Sequence, residues 1–129
     1  MPGRALLDTS AAAALLRGDP VLADTLGELD IAHTSVVVIG ELIYGARLSA
    51  NAAANLEQVA AFAAAVTVLP VDRTTSEVYA RIKKSLREKG RPIPDNDLWI
   101  AAAAVRHGLA LLHRDAHFSE VDELQSLTW

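Results

Sequence analysis

The chain has 129 residues, 51% of them hydrophobic but only 5% aromatic, and a formal net charge of −4. That length makes one domain able to bury roughly two-thirds of the surface its unfolded form exposes, on a core of Ala, Leu, Val and Ile. The absence of cysteine excludes disulfides and thiolate metal sites, and the negative balance argues against nucleic-acid binding through bulk electrostatics. The alanine tracts at 11–14 and 101–104 are too short to span a bilayer, so a cytoplasmic protein is expected.

In chain order, Arg4 to Leu7 reads as a short buried strand. Thr9 or Ser10 then caps a helix running to about Arg17 and stopped by Gly18, and Asp19-Pro20 opens another, with proline at its first helical position. Ile31 to Thr34 begins a second strand. The β-branched run Val36-Val37-Val38-Ile39 could extend it. The alternative is a helix from near Ser35, which puts Val38, Leu42 and Ala46 on one face and Glu41 beside that face. Gly40 and Gly45 would each weaken such a helix by roughly 1 kcal/mol, which suggests that something approaches it closely.

Asn51 caps a helix to about Ala65, and Val66 to Leu69 forms a third strand. Thr74 and Glu77 fit a capping box for a helix whose Val78, Ile82 and Leu86 recur every four residues until Gly90. Pro92 and Pro94 hold an extended lead-in, and Asp95 caps a helix ending at His107 that is apolar nearly all round and therefore buried. Leu109 to Leu112 is a strand, and a last one is expected near Ser126 to Trp129. Strands alternating with helices predict an α/β domain over 1–129. Arg81, Lys83, Lys84, Arg87, Lys89 and Arg91 fall in one stretch, read as a solvated helix face, with a phosphate-tracking stripe as the alternative.

Four acids stand where the apolar pattern does not call for them. Asp8 closes Ala5-Leu6-Leu7, Glu41 interrupts Val38-Ile39-Gly40-Glu41-Leu42, Asp97 precedes Leu98-Trp99-Ile100-Ala101, and Asp115 follows Leu111-Leu112-His113-Arg114. In open α/β sheets ligands bind beyond the carboxyl ends of the strands. Asp8 and Asp115 fall at such ends, and Glu41 and Asp97 in the opening turns of helices that begin near the same rim. Two like charges about 4 Å apart repel by roughly 4 kcal/mol at an effective dielectric near 20. Protons or a cation must neutralise such a group, and oxygen-only ligands suit Mg²⁺ or Mn²⁺. Taken singly, each acid also has an ordinary reading as a turn, surface or helix-terminal residue.

The surrounding residues carry a resemblance. Leu7-Asp8-Thr9-Ser10, Gly40-Glu41-Leu42-Ile43-Tyr44-Gly45-Ala46, Pro94-Asp95-Asn96-Asp97-Leu98-Trp99-Ile100-Ala101-Ala102 and His113-Arg114-Asp115-Ala116-His117-Phe118, in this order, resemble the PIN-domain ribonucleases, specifically the VapC-like toxins of bacterial toxin–antitoxin pairs. The resemblance spans nearly the whole chain and settles the helical start at Ser35. It also selects Asp97 over its neighbour Asp95.

It implies a single PIN-like domain, α/β/α, with a central parallel sheet flanked by helices. It further implies an endoribonuclease in which Asp8, Glu41, Asp97 and Asp115 are catalytic, Asp8 and Asp97 are the principal ligands of Mg²⁺ or Mn²⁺, and RNA is the substrate. Thr9, Ser10 and Asn96 are candidates to hold a ligand or substrate oxygen. The implied partner is a cognate antitoxin, in a homodimer or a higher hetero-oligomer with that antitoxin, and no membrane is involved.

His113 stands where the family often carries a small hydroxyl residue. His113 and His117 are spaced like zinc ligands, but no third nitrogen or sulfur ligand is evident nearby. Other readings are a catalytically silent PIN-fold module acting with its antitoxin as co-repressor, and a different phosphate enzyme on a similar sheet. A hydrolase with an aspartyl nucleophile usually shows a second aspartate where Ser10 stands.

Overall fold

The computed structural model describes residues 4–29 and 31–129, so Met1 to Gly3 and Asp30 of the expected 1–129 domain lie outside the described residues. Five strands, β1 (Arg4–Leu7), β2 (Ile31–Ser35), β3 (Thr67–Leu69), β4 (Ala110–Leu112) and β5 (Ser126–Leu127), form one sheet in the order β3-β2-β1-β4-β5. Every pairing is parallel, with Leu6 opposite His33 on one side and Leu111 on the other. Parallel sheets are covered on both faces, and the strand residues follow: Ala5, Leu6, Leu7 and all of β4 are buried.

Six α-helices flank the sheet: α1 (Thr9–Leu16), α2 (Pro20–Gly27), α3 (Val36–Leu48), α4 (Ala52–Ala65), α5 (Arg73–Lys89) and α6 (Asp95–Arg106). Helices α1 to α4 pack among themselves, and α5 packs along α6. The small side chains of Ala101 to Ala104, all buried, let α6 lie close to its neighbours.

All five expected strands are present, and α3 does begin after Ser35, whose hydroxyl accepts from Val37 N at 3.1 Å while Val38, Leu42 and Ala46 form its buried face. The caps differ from expectation. Asp8, not Thr9 or Ser10, caps α1. Asp72, not Thr74, caps α5, accepting from Thr75 N and Oγ1 at 2.8 Å each, because the helix begins two residues earlier than the Thr-x-x-Glu pattern suggests. Asn51 stands at the cap position of α4 without a side-chain hydrogen bond there.

Pro94 is the cap residue of α6 and Asp95 its first helical residue. The Asp95 carboxylate accepts instead from the Tyr79 hydroxyl at 2.6 Å and from Lys83 Nζ at 3.2 Å. Trp99 is only half-buried and stacks on Tyr79 with ring centroids 3.7 Å apart.

The cations of α5 are largely committed. Arg81 pairs with Glu123, Lys83 with Asp95, Lys84 with Glu88 and Lys89 with Asp122. Four of the six are thus neutralised locally, which favours the solvated face over a phosphate-tracking stripe. The expected close approach at Gly40 and Gly45 is not seen, since a Cβ at either would meet nothing within 4 Å.

Gly90 is different: it ends α5 at φ +68°, in the left-handed region, with Gly90 N donating to Arg87 O. Gly90→Ala is therefore expected to cost about 1–2 kcal/mol through backbone strain alone. Gly40→Ala, in a helix interior with open space, should gain about 0.5–1 kcal/mol. Urea unfolding of both variants tests the pair, and equal effects of one sign would contradict the backbone explanation.

Candidate active site at the sheet edge

The chain runs from β1 outward to β2 and β3, then returns past β1 to β4 and β5. The connections after β1 and β4 therefore diverge in opposite directions, opening a crevice beyond the carboxyl ends of these two central strands. Asp8 directly follows β1, and Asp115 lies three residues past β4.

Asp8 is locked by its double duty. Its backbone N donates to Leu112 O at 3.2 Å, which ties it to β4, and its carboxylate accepts from Ala11 N at 2.8 Å as the cap of α1. The residue is only 4% exposed. Burial is the largest influence on its carboxyl group, which is raised from 3.8 to about 6; the Ala11 hydrogen bond opposes this, and the charges of Asp97, Asp115 and Glu41 add to it. Those three electrostatic partners are the other acids singled out in the sequence.

Glu41, half-buried in the second turn of α3, accepts from Thr9 Oγ1 at 2.5 Å, so α1 and α3 hold each other's site residues. Asp97 is the third residue of α6, where the helix N-terminus favours a carboxylate. Partial burial nevertheless raises its carboxyl group above the ordinary value. A hydrogen bond with His117 acts in the other direction, and the charges of Asp115 and Glu41 raise it further.

Asp115 caps a short 3₁₀ helix, Ala116–Glu120, accepting from His117 N at 2.9 Å. His117 Nδ1 then lies 3.3 Å from Asp97 Oδ2 and 3.2 Å from Asp115 Oδ1, bridging the two acids. One ligand atom each of Asp97, Asp115 and His117 fall within 4.8 Å of one another, a grouping that can hold a cation.

The two histidines do not converge as a zinc pair would. Nδ1 of His113 accepts from Asp115 N at 3.1 Å, so its Nε2 carries the proton and donates to Ser126 Oγ at 2.8 Å. Its ring leans on Phe118, and burial lowers its basicity. His113 is thus a neutral brace beneath Asp115. His117 is the residue beside these acids that sequence reasoning undervalued; its signal was its place two residues after Asp115, within reach of a cap residue's own carboxylate. Ser10 and Asn96 are exposed near the crevice, with no side-chain hydrogen bond among the described residues.

A parallel sheet with four acids gathered at its central crevice defines a class: an α/β/α domain with an acidic, cation-compatible centre. Residues 5–124 match the PIN domain family model, and the chain belongs to the PIN domain family. It is 32% identical over 128 residues to Ribonuclease VapC5 of Mycobacterium tuberculosis, covering 98% of this chain and 93% of that protein.

Among solved structures it superposes on VapBC-1 from nontypeable Haemophilus influenzae with a TM-score of 0.89 at 27% identity, over 98% of both chains. It superposes on DNA-bound VapBC from Salmonella typhimurium with a TM-score of 0.90 at 25% identity, over 100% of this chain and 99% of that one.

Proposed function

We propose that this chain is the toxin of a toxin–antitoxin pair and acts over 1–129 as a single-domain endoribonuclease. In this reading Asp8, Glu41, Asp97 and Asp115 are catalytic and hold Mg²⁺ or Mn²⁺ at an RNA phosphodiester. The observation that carries it is the gathering of four carboxylates around a crevice, one of them buried and raised to about 6 in part by the other three. Such a cluster is costly until a cation offsets it. The relative named a ribonuclease supports the activity.

The donor set fits the group. Carboxylate oxygens suit Mg²⁺ and Mn²⁺, and the His117 imidazole beside Asp97 and Asp115 makes the site more hospitable to Mn²⁺ than oxygens alone would. Asp8 and Asp97 are the proposed principal ligands, with Asp115 completing the set. When bound, such a cation lowers the pKa of a water and offsets charge on the phosphoryl oxygens.

The chain's own residues position the rest. Thr9 Oγ1 holds Glu41 Oε1, leaving Oε2 to accept the proton of the attacking water. His117 keeps Asp97 and Asp115 together, and Asn96 and Ser10 offer donors to substrate oxygens.

A partner fits the same face. A cavity of about 490 Å³ between α1, α3 and α4 is lined by Ala13, Leu16, Leu42, Ala46 and Val59 and ends at Thr9 and Glu41. An antitoxin helix could fill this groove and deliver a cationic tail to the acids. Assembly as a homodimer, or as a larger complex with the antitoxin, is part of the proposal.

The DNA-bound Salmonella complex favours a second reading, a silent module that serves with its antitoxin as co-repressor. Incubating a total RNA pool with purified protein in Mg²⁺, in Mn²⁺ and in chelator, beside Asp97→Asn, separates the two. Discrete metal-dependent cuts that disappear in the variant are expected, and no difference between two folded, partner-free proteins would favour the co-repressor.

A further inference from the structure

Most cations of α5 are neutralised locally, but two arginines elsewhere face one cavity next to the acids. This cavity, of about 410 Å³, is lined by Thr9, Ser10, Ala13 and Arg17 on the α1 side and by Arg114 and Trp129 on the other. No Asp or Glu lines it, and Ser10, Arg17 and Arg114 bring side-chain donors to it.

Arg114 is pre-set. Its guanidinium lies 4.3 Å from the Trp129 ring centroid, its Nε donates to the Trp129 backbone oxygen at 2.8 Å, and its Nη2 donates there too. A planar cation stacked in this way keeps donors free and loses little entropy when it binds an anion. Arg114 also borders a second cavity, of about 340 Å³, which Asp115 lines, so it stands between two hollows at the edge of the acidic crevice. Arg17 closes the far end of α1 and makes no side-chain hydrogen bond or ion pair among the described residues.

The acid facing Arg114 from α2 is Asp19, but its carboxylate caps that helix, accepting from Val21 N at 2.9 Å and Leu22 N at 3.2 Å. Two guanidiniums across one cavity repel each other and attract a bridging anion. A chain of net charge −4 with four acids at its crevice also needs local cations if a polyanion is to approach.

We infer that Arg17 and Arg114, with the Ser10 hydroxyl, bind the RNA backbone phosphate adjacent to the one that is cut, an inference that rests on the ribonuclease reading. The Thr9 hydroxyl marks the boundary, since it lines this cavity and also holds Glu41. Contacts of this kind position the strand without reading its sequence, so they set affinity and register and leave base preference to other surfaces.

The test uses a short, fluorescein-labelled, mixed-sequence single-stranded RNA, bound in Mg²⁺ by the Asp97→Asn protein across a salt series and read by anisotropy. On that background, Arg17→Gln should weaken binding several-fold and flatten the slope of log K against log salt by about 0.7, the value for one phosphate contact on a single strand. Arg17→Gln with Arg114→Gln should flatten it further. The triple replacement of Lys83, Lys84 and Arg87 by Gln should change little.

Arg17 makes no side-chain hydrogen bond or ion pair among the described residues, so its single variant remains informative if loss of the Arg114–Trp129 stack disturbs folding. Unchanged affinity and slope in both arginine variants, with the parent binding RNA and the wild type cutting it, overturns the cradle alone. The cradle falls in that case even if the variants weaken binding to a co-expressed partner, which would assign the arginines to an acidic protein segment. A parent that does not bind RNA, beside a wild type that does not cut it, overturns the cradle and the ribonuclease reading together.

Discussion

Asp8→Asn is expected to abolish metal-dependent RNA cleavage and, in chelator, to make the protein more stable than the wild type. The carboxyl group moves from 3.8 to about 6 on folding, chiefly through burial. Between those values the folded state holds a proton that the unfolded state has released. Wild-type stability therefore falls as pH rises through this window, and the penalty is complete above it.

A displacement of that size corresponds to about 3 kcal/mol, a large share of a domain's stability. Asparagine removes the charge but can still accept from Ala11 N, so the cap of α1 survives. Urea unfolding of both proteins in chelator at pH 4 and pH 7.5 should show a gain at the higher pH that has nearly vanished at the lower. A gain independent of pH, or none, would contradict a buried ionised carboxylate here. Adding Mn²⁺ should narrow the difference, because a cation that binds the native site stabilises the wild type and finds one ligand fewer in the variant.

Phe118→Ala is expected to cost about 3–5 kcal/mol and to reduce cleavage although the ring has no group that binds a cation or carries a proton. Phe118 is 1% exposed and is the buried residue of the 3₁₀ helix that Asp115 caps and that carries His117. Such a helix has poor hydrogen-bond geometry and little stability of its own. Its position depends on this one ring, packed at a tilt against His113 with centroids 4.7 Å apart. Without it, the Asp115 cap and the His117 bridge to Asp97 lose their foundation. Phe118→Leu, which refills much of the space, should recover most of the loss. Unfolding free energies, with hydrogen exchange across residues 115–118, would check this, and a loss below about 1 kcal/mol with unchanged exchange would show that the site does not lean on this anchor.

Much of the protein was already legible in one dimension. Short apolar runs such as Ala5-Leu6-Leu7 and Leu109 to Leu112 marked buried strands, and Val78, Ile82 and Leu86 marked a helix, because periodicity reports which faces must leave water. The four acids stood out because a carboxylate against an apolar run is costly without a reason. Their grouping is now seen in the mutual electrostatics of Asp8, Glu41, Asp97 and Asp115. The ambiguous run Val36 to Ile39 was settled by resemblance and not by pattern, since β-branched residues by themselves favour a strand there.

What the linear chain determined by itself was therefore its division into strands and helices, the core-facing residues and the identity of the unusual acids, all properties set by local chemistry and period. Only the tertiary structure decided which groups share those acids' surroundings. Asp8 caps its own helix, Asp95 serves Tyr79 and Lys83 instead of capping, His117 joins the site while His113 braces it, and Arg17 meets Arg114 across a cavity. These relations depend on a crossover that sends the chain to one side of β1 and back to the other. That juxtaposition joins residues about a hundred positions apart, and no local preference encodes it.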